Sequence, residues 1–456
     1  MEYEVSILFS AILNFFKAGP DKPPITSNKE KAKALFNSTQ RSVFISITLG
    51  YAFFYVCRLN FSVVKKPLLD GNVLDANQIG TMGMVFFFTY AIGKFINSFI
   101  GDRCNIKHFM PFGLFMVAVL SIIMGVGMPY VVMVLFWGLI GWFQSYGAGP
   151  SIISLNQWVS GKKRGTYYGI WFASHNIGAG LTYLVTSVVV MQYGWHAGFW
   201  LPGALCLIAS LLMFKFMADR PRACGLPTPY EINGEKDPTI ETNEKSIGSL
   251  QWEVIKRPAV WILGISSAAC YITRYAIESW GVVFLTAEKG YTMLGASSLL
   301  TTMQFAGIFG TCLCGLISDK FFNHKRNIPC LIFGILYAAS VAAFVWGPKE
   351  YDWINWVSMC VYGFTMGSLV CYLGGLMAVD ICPKRATGAA MGMIGLFSYI
   401  GASLQEKVSG YLINAGKTVV NGQAIYDFHA AAVFWVGAAV ISCLMALLVW
   451  NVKVKE

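Results

Sequence analysis

The stretch VFISITLGYAFFYVCRLNFSVV, residues 43 to 64, decides the fold class. It is apolar but for a scatter of small polar residues and one arginine, Arg58, and it is flanked by Arg41 on one side and by Lys65 and Lys66 on the other. A bilayer's hydrocarbon core of about 30 Å needs about 20 such residues in a helix, so the segment reads as a membrane span with a charge inside it. Outward from it, similar runs recur at roughly 78 to 101, 109 to 128, 130 to 158, 167 to 190, 198 to 218, 259 to 286, 292 to 317, 328 to 347, 354 to 380, 387 to 413 and 429 to 451. With 56% hydrophobic and 12% charged residues, the composition is wrong for a soluble surface. The expected fold is an all-α integral membrane protein of twelve transmembrane helices.

The net charge of +11 is not pooled in a patch or stripe of the kind that binds nucleic acid. It alternates with the turns. With both termini cytosolic, the inner segments hold 24 of the 34 Lys and Arg, the outer loops hold Lys65, Lys66, Lys289, Lys349 and Lys417, and Arg58, Lys94, Lys215, Arg274 and Lys407 fall inside spans. That asymmetry is the positive-inside rule and requires an even number of helices. Twelve cysteines lie mostly inside spans without metal-ligand or disulfide spacing, and read as small buried residues. No metal and no cofactor is expected. No nucleophile elbow or Walker loop marks an enzyme either. The run from Val5 to Phe16 is too short to span and follows Glu2 and Glu4, so it reads as a surface-lying helix or a weak core contact.

The chain divides into a cytosolic segment (1–42) with a short amphipathic stretch, a six-helix bundle (43–218), a proline-rich cytosolic linker (219–258), a second six-helix bundle (259–451) and a tail (452–456). The halves repeat. Tyr55-Val-Cys-Arg58 is echoed by Tyr271-Ile-Thr-Arg274 at an offset of 216, Asp102-Arg103 by Asp319-Lys320 at 217, and Lys163-Arg164 by Lys384-Arg385 at 221. Two parallel six-helix repeats resemble the plan of the major facilitator superfamily, in which substrate sits at mid-membrane between bundles that rock. The superfamily's loop motif, Gly-x-x-x-Asp-Arg, survives as Gly315-x-x-x-Asp319-Lys320, with Ser98 in place of the first glycine in the other half. Asp102 and Asp319 read as interhelix clasps or as solvated loop charges.

A charge near the bilayer centre costs at least about 2.5 to 3.5 kcal/mol and needs a partner, a wet cavity or a function. Arg58 and Arg274 each lie about fifteen residues into spans rising from the same side, which puts both roughly 22 Å from the inner edge, where they can face one ligand. A guanidinium fork can bind two phosphate oxygens at once, and a phosphate monoester carries about −1.5 to −2 at pH 7. The competing reading pairs each arginine with a carboxylate. For Arg274 that partner is Glu278, one turn on. Arg58 has no such neighbour, because Asp102 is the only acidic residue between positions 76 and 218. An acid-poor bundle suits anions and argues against a proton-driven sugar symporter.

Two readings stand for Lys94, a third cation in the cavity or a side chain reaching back to the inner face. Two stand for His175, a donor to phosphate or a histidine satisfied by its helix. Tyr51, Tyr55, Tyr271 and Tyr399 could offer hydroxyls or simply pack; Tyr55 and Tyr271 stand one turn before the paired arginines. Lys215 reads as reaching to the inner face, and Glu406 and Lys407 have no evident partner.

The residues Gly50-Tyr51 to Asn60-Phe61, Arg164-Gly165 through Trp171 to His175-Asn176, Tyr271 to Trp280, and Gly395-Leu-Phe397 to Tyr399 resemble the organophosphate:phosphate antiporters, bacterial carriers of hexose phosphates and glycerol phosphate with a related sugar-phosphate sensor. The resemblance covers all twelve spans. It implies exchange of inorganic phosphate for an organic phosphate at Arg58 and Arg274, assisted by His175, Lys94, Trp171 and tyrosines 51, 55, 271 and 399. A monomer is expected, in the lipid bilayer of a bacterial cytoplasmic (inner) membrane. Tyr193-Gly-Trp-His-Ala-Gly and Asp219-Arg-Pro-Arg-Ala-Cys-Gly are most like the hexose-phosphate members, which favours glucose 6-phosphate. The chain departs from the family at Leu59, Phe172, Ser368-Leu-Val370, Met391 and Ile394, the last two replacing an Asp and a Lys of some hexose-phosphate carriers. The expected mechanism is exchange gated by charge: the arginines repel until phosphate neutralises them and draws the halves together. The alternative is a receptor that senses external sugar phosphate for a membrane kinase.

Overall fold

The computed structural model describes residues 14–101, 103–235, 252, 254–323, 325–377, 387–420 and 423–448. Twelve long helices follow one another: α1 Lys29–Asp70, α2 Ala76–Gly101, α3 Ile106–Met124, α4 Tyr130–Trp158, α5 Gly161–Tyr193, α6 Ala197–Phe216, α7 Pro258–Ala287, α8 Met293–Phe321, α9 Asn327–Trp346, α10 Asp352–Leu376, α11 Thr387–Ala415 and α12 His429–Leu448. They form two six-helix bundles, α1–α6 and α7–α12. Ten of the helices are long and apolar enough to cross a membrane. The other two, α5 and α11, are 33 and 29 residues long but diluted by glycine and polar residues. Both lie on the seam between the bundles, α5 against α8 and α11 against α2, which is where a polar face has a use.

The first span is longer at both ends than the sequence predicts. Asn28 caps α1 by accepting from the amides of Glu30 and Lys31 at 2.9 and 3.2 Å, so residues 29–42 are helix and not a loose segment. At the other end α1 runs through Lys65 to Asp70, and Lys65, assigned by its charge to an outer loop, is fully buried. Helix α4 is interrupted at residues 145–147, where a side chain on Gly147 would come within 3.0 Å of the Phe54 ring. Helix α10 ends in a π turn, Tyr372–Leu376. The start of the linker is ordered, with a short helix Pro229–Asn233 capped by Thr228 and Glu231. The preceding chain docks on it: Lys22 and Ile25 amides donate to Arg222 and Gly225 carbonyls at 3.0 and 3.1 Å. Most of the stretch from Val5 to Phe16, residues 236–251 and 253 of the linker, and the tail lie outside the described residues.

The repeat is visible in the packing. Gly178 of α5 lies so close to Ala52 of α1 that a Cβ there would strike its carbonyl, and Gly401 of α11 meets Ala268 of α7 in the same way, at 2.5 Å. Ala52 and Ala268 are 216 residues apart, the offset that separates Arg58 from Arg274.

The bundles meet through α1 with α7, α2 with α11 and α5 with α8. On the face away from the chain termini they are locked. A Cβ on Gly80 of α2 would sit 2.9 Å from the Gly410 Cα of α11, so backbone meets backbone. Ser62 donates to the Glu278 carbonyl at 2.8 Å and Thr301 to the Gly180 carbonyl at 2.9 Å. Lys65 of α1 and Glu406 of α11 form an ion pair at 3.0 Å, both almost fully buried. The Trp280 indole donates to the same carboxylate oxygen at 3.0 Å, and the Lys65 ammonium lies 4.0 Å from the Trp280 ring centroid and donates to Ser279. Next to it Lys407 donates to Asn77 and Thr81 of α2, each at 2.8 Å. Glu406 and Lys407 thus have their partners, across the seam. Toward the terminal face the contact is looser among the described residues: Cβ atoms added at Gly161, Gly165 and Gly169 of α5, Gly315 of α8, or Gly392 of α11 would meet nothing within 4 Å.

Truncating one partner of a buried ion pair leaves an uncompensated charge, which costs about 3 to 5 kcal/mol, whereas replacing both with apolar residues of similar volume is often neutral. Glu406→Gln should therefore lower the thermal midpoint in detergent markedly, and Lys65→Met with Glu406→Leu should recover most of the loss. Equal destabilisation by the single and double variants would contradict the pairing.

Candidate functional site

Tyr51, Tyr55 and Arg58 recur at four and three residues along α1, so they share one helix face; Tyr271, Arg274 and Glu278 do the same on α7. The two faces oppose each other across the seam. Arg58 is only 5% exposed. Six rings surround its guanidinium carbon: Tyr90 at 4.6 Å, Tyr55 and Phe87 at 5.2 Å, Tyr275 at 5.3 Å, Tyr399 at 5.6 Å and Phe86 at 5.7 Å. Each cation–π contact contributes about 0.5 to 2 kcal/mol, which helps offset the burial of the charge. The Nη2 group donates to the Tyr275 hydroxyl at 2.8 Å, while the buried Nε has no hydrogen-bond partner. Among the described residues no carboxylate lies within 4.0 Å of Arg58.

Arg274 is held differently. Its Nε donates to Glu278 Oε1 at 3.0 Å, an ion pair one turn apart and buried on both sides. Gln304 of α8 also donates to Oε1, at 3.3 Å. The Glu278 carbonyl accepts from the Tyr183 hydroxyl at 2.7 Å as well as from Ser62, so the end of the site away from the termini is sealed by hydroxyls of α1 and α5. One ring joins the two arginines. Tyr275 lies 5.3 Å from the Arg58 guanidinium carbon and 5.4 Å from that of Arg274.

On the α5 side, Trp171 stacks on Tyr51 with ring centroids 4.6 Å apart, and His175 lies 4.9 Å from Tyr55 and 6.0 Å from Tyr51. His175 Nδ1 faces the Phe172 carbonyl, which requires the proton on Nδ1 and leaves Nε2 an acceptor in the neutral ring. Donation to a phosphate oxygen then requires the imidazolium. On the α11 side Tyr399 is the hub, with Lys94 Nζ 4.9 Å from its ring centroid and Tyr90 and Tyr271 at 4.5 and 5.5 Å. Of the two readings of Lys94, the geometry favours the one that turns it to the seam.

The site therefore draws together Arg58, Arg274, His175, Lys94, Trp171 and the four tyrosines read from the sequence, with Glu278 as the ion-pair partner of Arg274. Asp319 is elsewhere, paired with Arg326 at 2.6 Å across the α8–α9 turn, a clasp between helices. Asp102 lies outside the described residues. Lys215 is exposed near the terminal-face end of α6. The sequence reading missed Tyr275, Tyr90, Phe86, Phe87 and Gln304. Tyr275 adjoins Arg274 and Tyr90 stands one turn from Lys94, which could have marked them; the phenylalanines carry no signal that distinguishes them from packing.

A family model described as Major Facilitator Superfamily matches residues 43–405. A probable hexose phosphate transport protein of Chlamydia trachomatis is 29% identical over 93% of this chain and 94% of its own length. The membrane sensor protein UhpC of Salmonella typhimurium is 30% identical over 86% of this chain and 89% of its own. The hexose-6-phosphate:phosphate antiporter of Escherichia coli is 28% identical over 93% and 94%. Among solved structures, a bacterial homologue of the human lysosomal transporter Spinster, inward-facing and unoccupied, superposes with a TM-score of 0.74 over 92% of this chain and 99% of its own, at 16% identity.

If the site takes an anion, that anion can stand in for the Glu278 carboxylate. Glu278→Gln strips Arg274 of its counter-charge and should lower stability by about 3 to 5 kcal/mol. Inorganic phosphate should then raise the thermal midpoint of the variant more than that of the wild type. A variant that phosphate stabilises no further than wild type would refute the arrangement.

Proposed function

The chain belongs to the major facilitator superfamily and, within it, to the organophosphate:phosphate antiporters, and we propose that it exchanges a sugar phosphate, glucose 6-phosphate foremost, for inorganic phosphate. The observation that carries this reading is the charge balance at the seam. Arg58 and Arg274 against Glu278 leave the arginine pair net positive, with the Lys94 ammonium beside Tyr399 at the same seam. A phosphate monoester at pH 7, with about −1.5 to −2, is the anion such a site attracts. Arg58 is the primary phosphate ligand, because among the described residues it has no carboxylate to give up; Arg274 binds as Glu278 yields. The aromatic wall of Tyr51, Tyr55, Tyr271, Tyr399 and Trp171 faces the organic part.

Transport runs by alternating access, with the arrangement described above open to the face that bears the termini. That face is cytosolic, in a bacterial cytoplasmic membrane, with the linker and both termini inside. Phosphate bound between Arg58 of α1 and Arg274 of α7 links the bundles and permits the rocking that exposes the other face. Because Glu278 already compensates Arg274, the barrier to reorientation without cargo comes from Arg58 and not from repulsion within the arginine pair. One chain holds the whole site, so the working unit is the monomer. A second reading, a receptor for external sugar phosphate, is favoured by the 30% identical sensor.

Uptake of labelled glucose 6-phosphate into liposomes containing the purified protein should require internal phosphate and fall at least about a hundredfold in Arg58→Lys and Arg274→Lys, since lysine cannot supply the bidentate fork. Binding without uptake would support the receptor, and phosphate-independent uptake would refute exchange.

A further inference from the structure

We propose that Tyr275 is an internal competitor of the substrate: its hydroxyl holds on the Arg58 guanidinium a position that a phosphate oxygen takes over, and so sets how tightly the site binds anions. The inference rests on the phosphate-binding reading above and goes beyond it, because it gives control of affinity to a neutral side chain outside the set of cations.

Three observations carry it. The bond from Arg58 Nη2 to the Tyr275 hydroxyl is 2.8 Å long and buried, and the guanidinium has no carboxylate within reach among the described residues. A guanidinium has five donors and accepts nothing, so Tyr275 can only be the acceptor in this bond. The bond crosses the seam, from α1 of one bundle to α7 of the other. The Tyr275 ring is also fixed, packed 4.4 Å from Phe87, 5.8 Å from Tyr271 and 6.2 Å from Tyr399, so its hydroxyl is presented to Arg58 with little entropy left to lose.

The strength of the acceptor matters. The bond from Arg58 to the Tyr275 hydroxyl carries charge on the donor alone, whereas one to a phosphate oxygen joins opposite charges and adds their attraction, so the phosphate oxygen displaces the hydroxyl. Arg274 differs, since its acceptor is already a carboxylate, 3.0 Å away. The two arginines are thus unequal. Arg58 is satisfied just enough to stay buried and weakly enough to be taken over. As the anion arrives, the link across the seam passes from the Tyr275 hydroxyl to a phosphate shared with Arg274 on the same helix.

The sign of the effect is the test. Deleting a side chain that binds substrate weakens binding, whereas deleting a competitor strengthens it. The dissociation constant for inorganic phosphate would be measured by titration calorimetry on detergent-solubilised wild type, Tyr275→Phe and Tyr275→Gln, with thermal midpoints confirming that each is folded. Tyr275→Phe should bind about ten- to a hundredfold more tightly, the range expected from losing one hydrogen bond to a charged group in the free protein only. Tyr275→Gln, which restores an acceptor, should return to within about twofold of wild type. Weaker binding by Tyr275→Phe would make Tyr275 a phosphate ligand, and unchanged binding would leave its hydroxyl without influence; either overturns the proposal while the phosphate site stands. Wild type that binds no phosphate would instead overturn the reading on which it rests.

Discussion

A positive charge inside a bilayer must be solvated by something, and the arrangement of this molecule follows from how Arg58 is solvated. Among the described residues no carboxylate comes within 4.0 Å, so the guanidinium is received by ring faces and one hydroxyl. Such an environment stabilises a cation without cancelling it. The field at the seam stays positive, and a carboxylate in the place of Tyr275 would have weakened it. That Phe86, Phe87 and Tyr90 come from α2, Tyr55 from α1, Tyr275 from α7 and Tyr399 from α11 means that the cage is built by both bundles. Its completeness depends on how the bundles are set against each other.

The other buried cations are treated differently. Arg274 and Lys65 both have carboxylates at 3.0 Å, but Arg274 pairs within its own helix and Lys65 across the seam. A pair within one helix travels with that helix and leaves the relative position of the bundles unconstrained. A pair between helices is made and broken as the bundles move. Charge is therefore used in three ways in one seam: left open to attract, closed locally to moderate, and closed across the interface to lock.

Much of this was legible in the sequence because it is local or repeated. The length and apolarity of the spans, the Tyr-x-x-Arg echo between α1 and α7, and the one-turn spacing of Arg274 and Glu278 all survive translation into structure. The lock was not legible. Lys65 and Glu406 are 341 residues apart, and a lysine at the end of an apolar run looks like a loop residue under any rule that counts charges near span ends. The inner extension of α1 has little apolar periodicity, and only the Asn28 cap announces it. Phe86 and Phe87 are the ring type that fills any core; what distinguishes them is the neighbour they receive from another helix.

The Lys65–Glu406 pair has a consequence for the solvent. Opening that face separates two charges buried among Trp280 and Ser279, and neither can stand alone in a dry interface, so water must enter as they part. Solutes excluded from protein surfaces, which strengthen burial, therefore hold this face shut more firmly, and less water in the medium acts in the same direction.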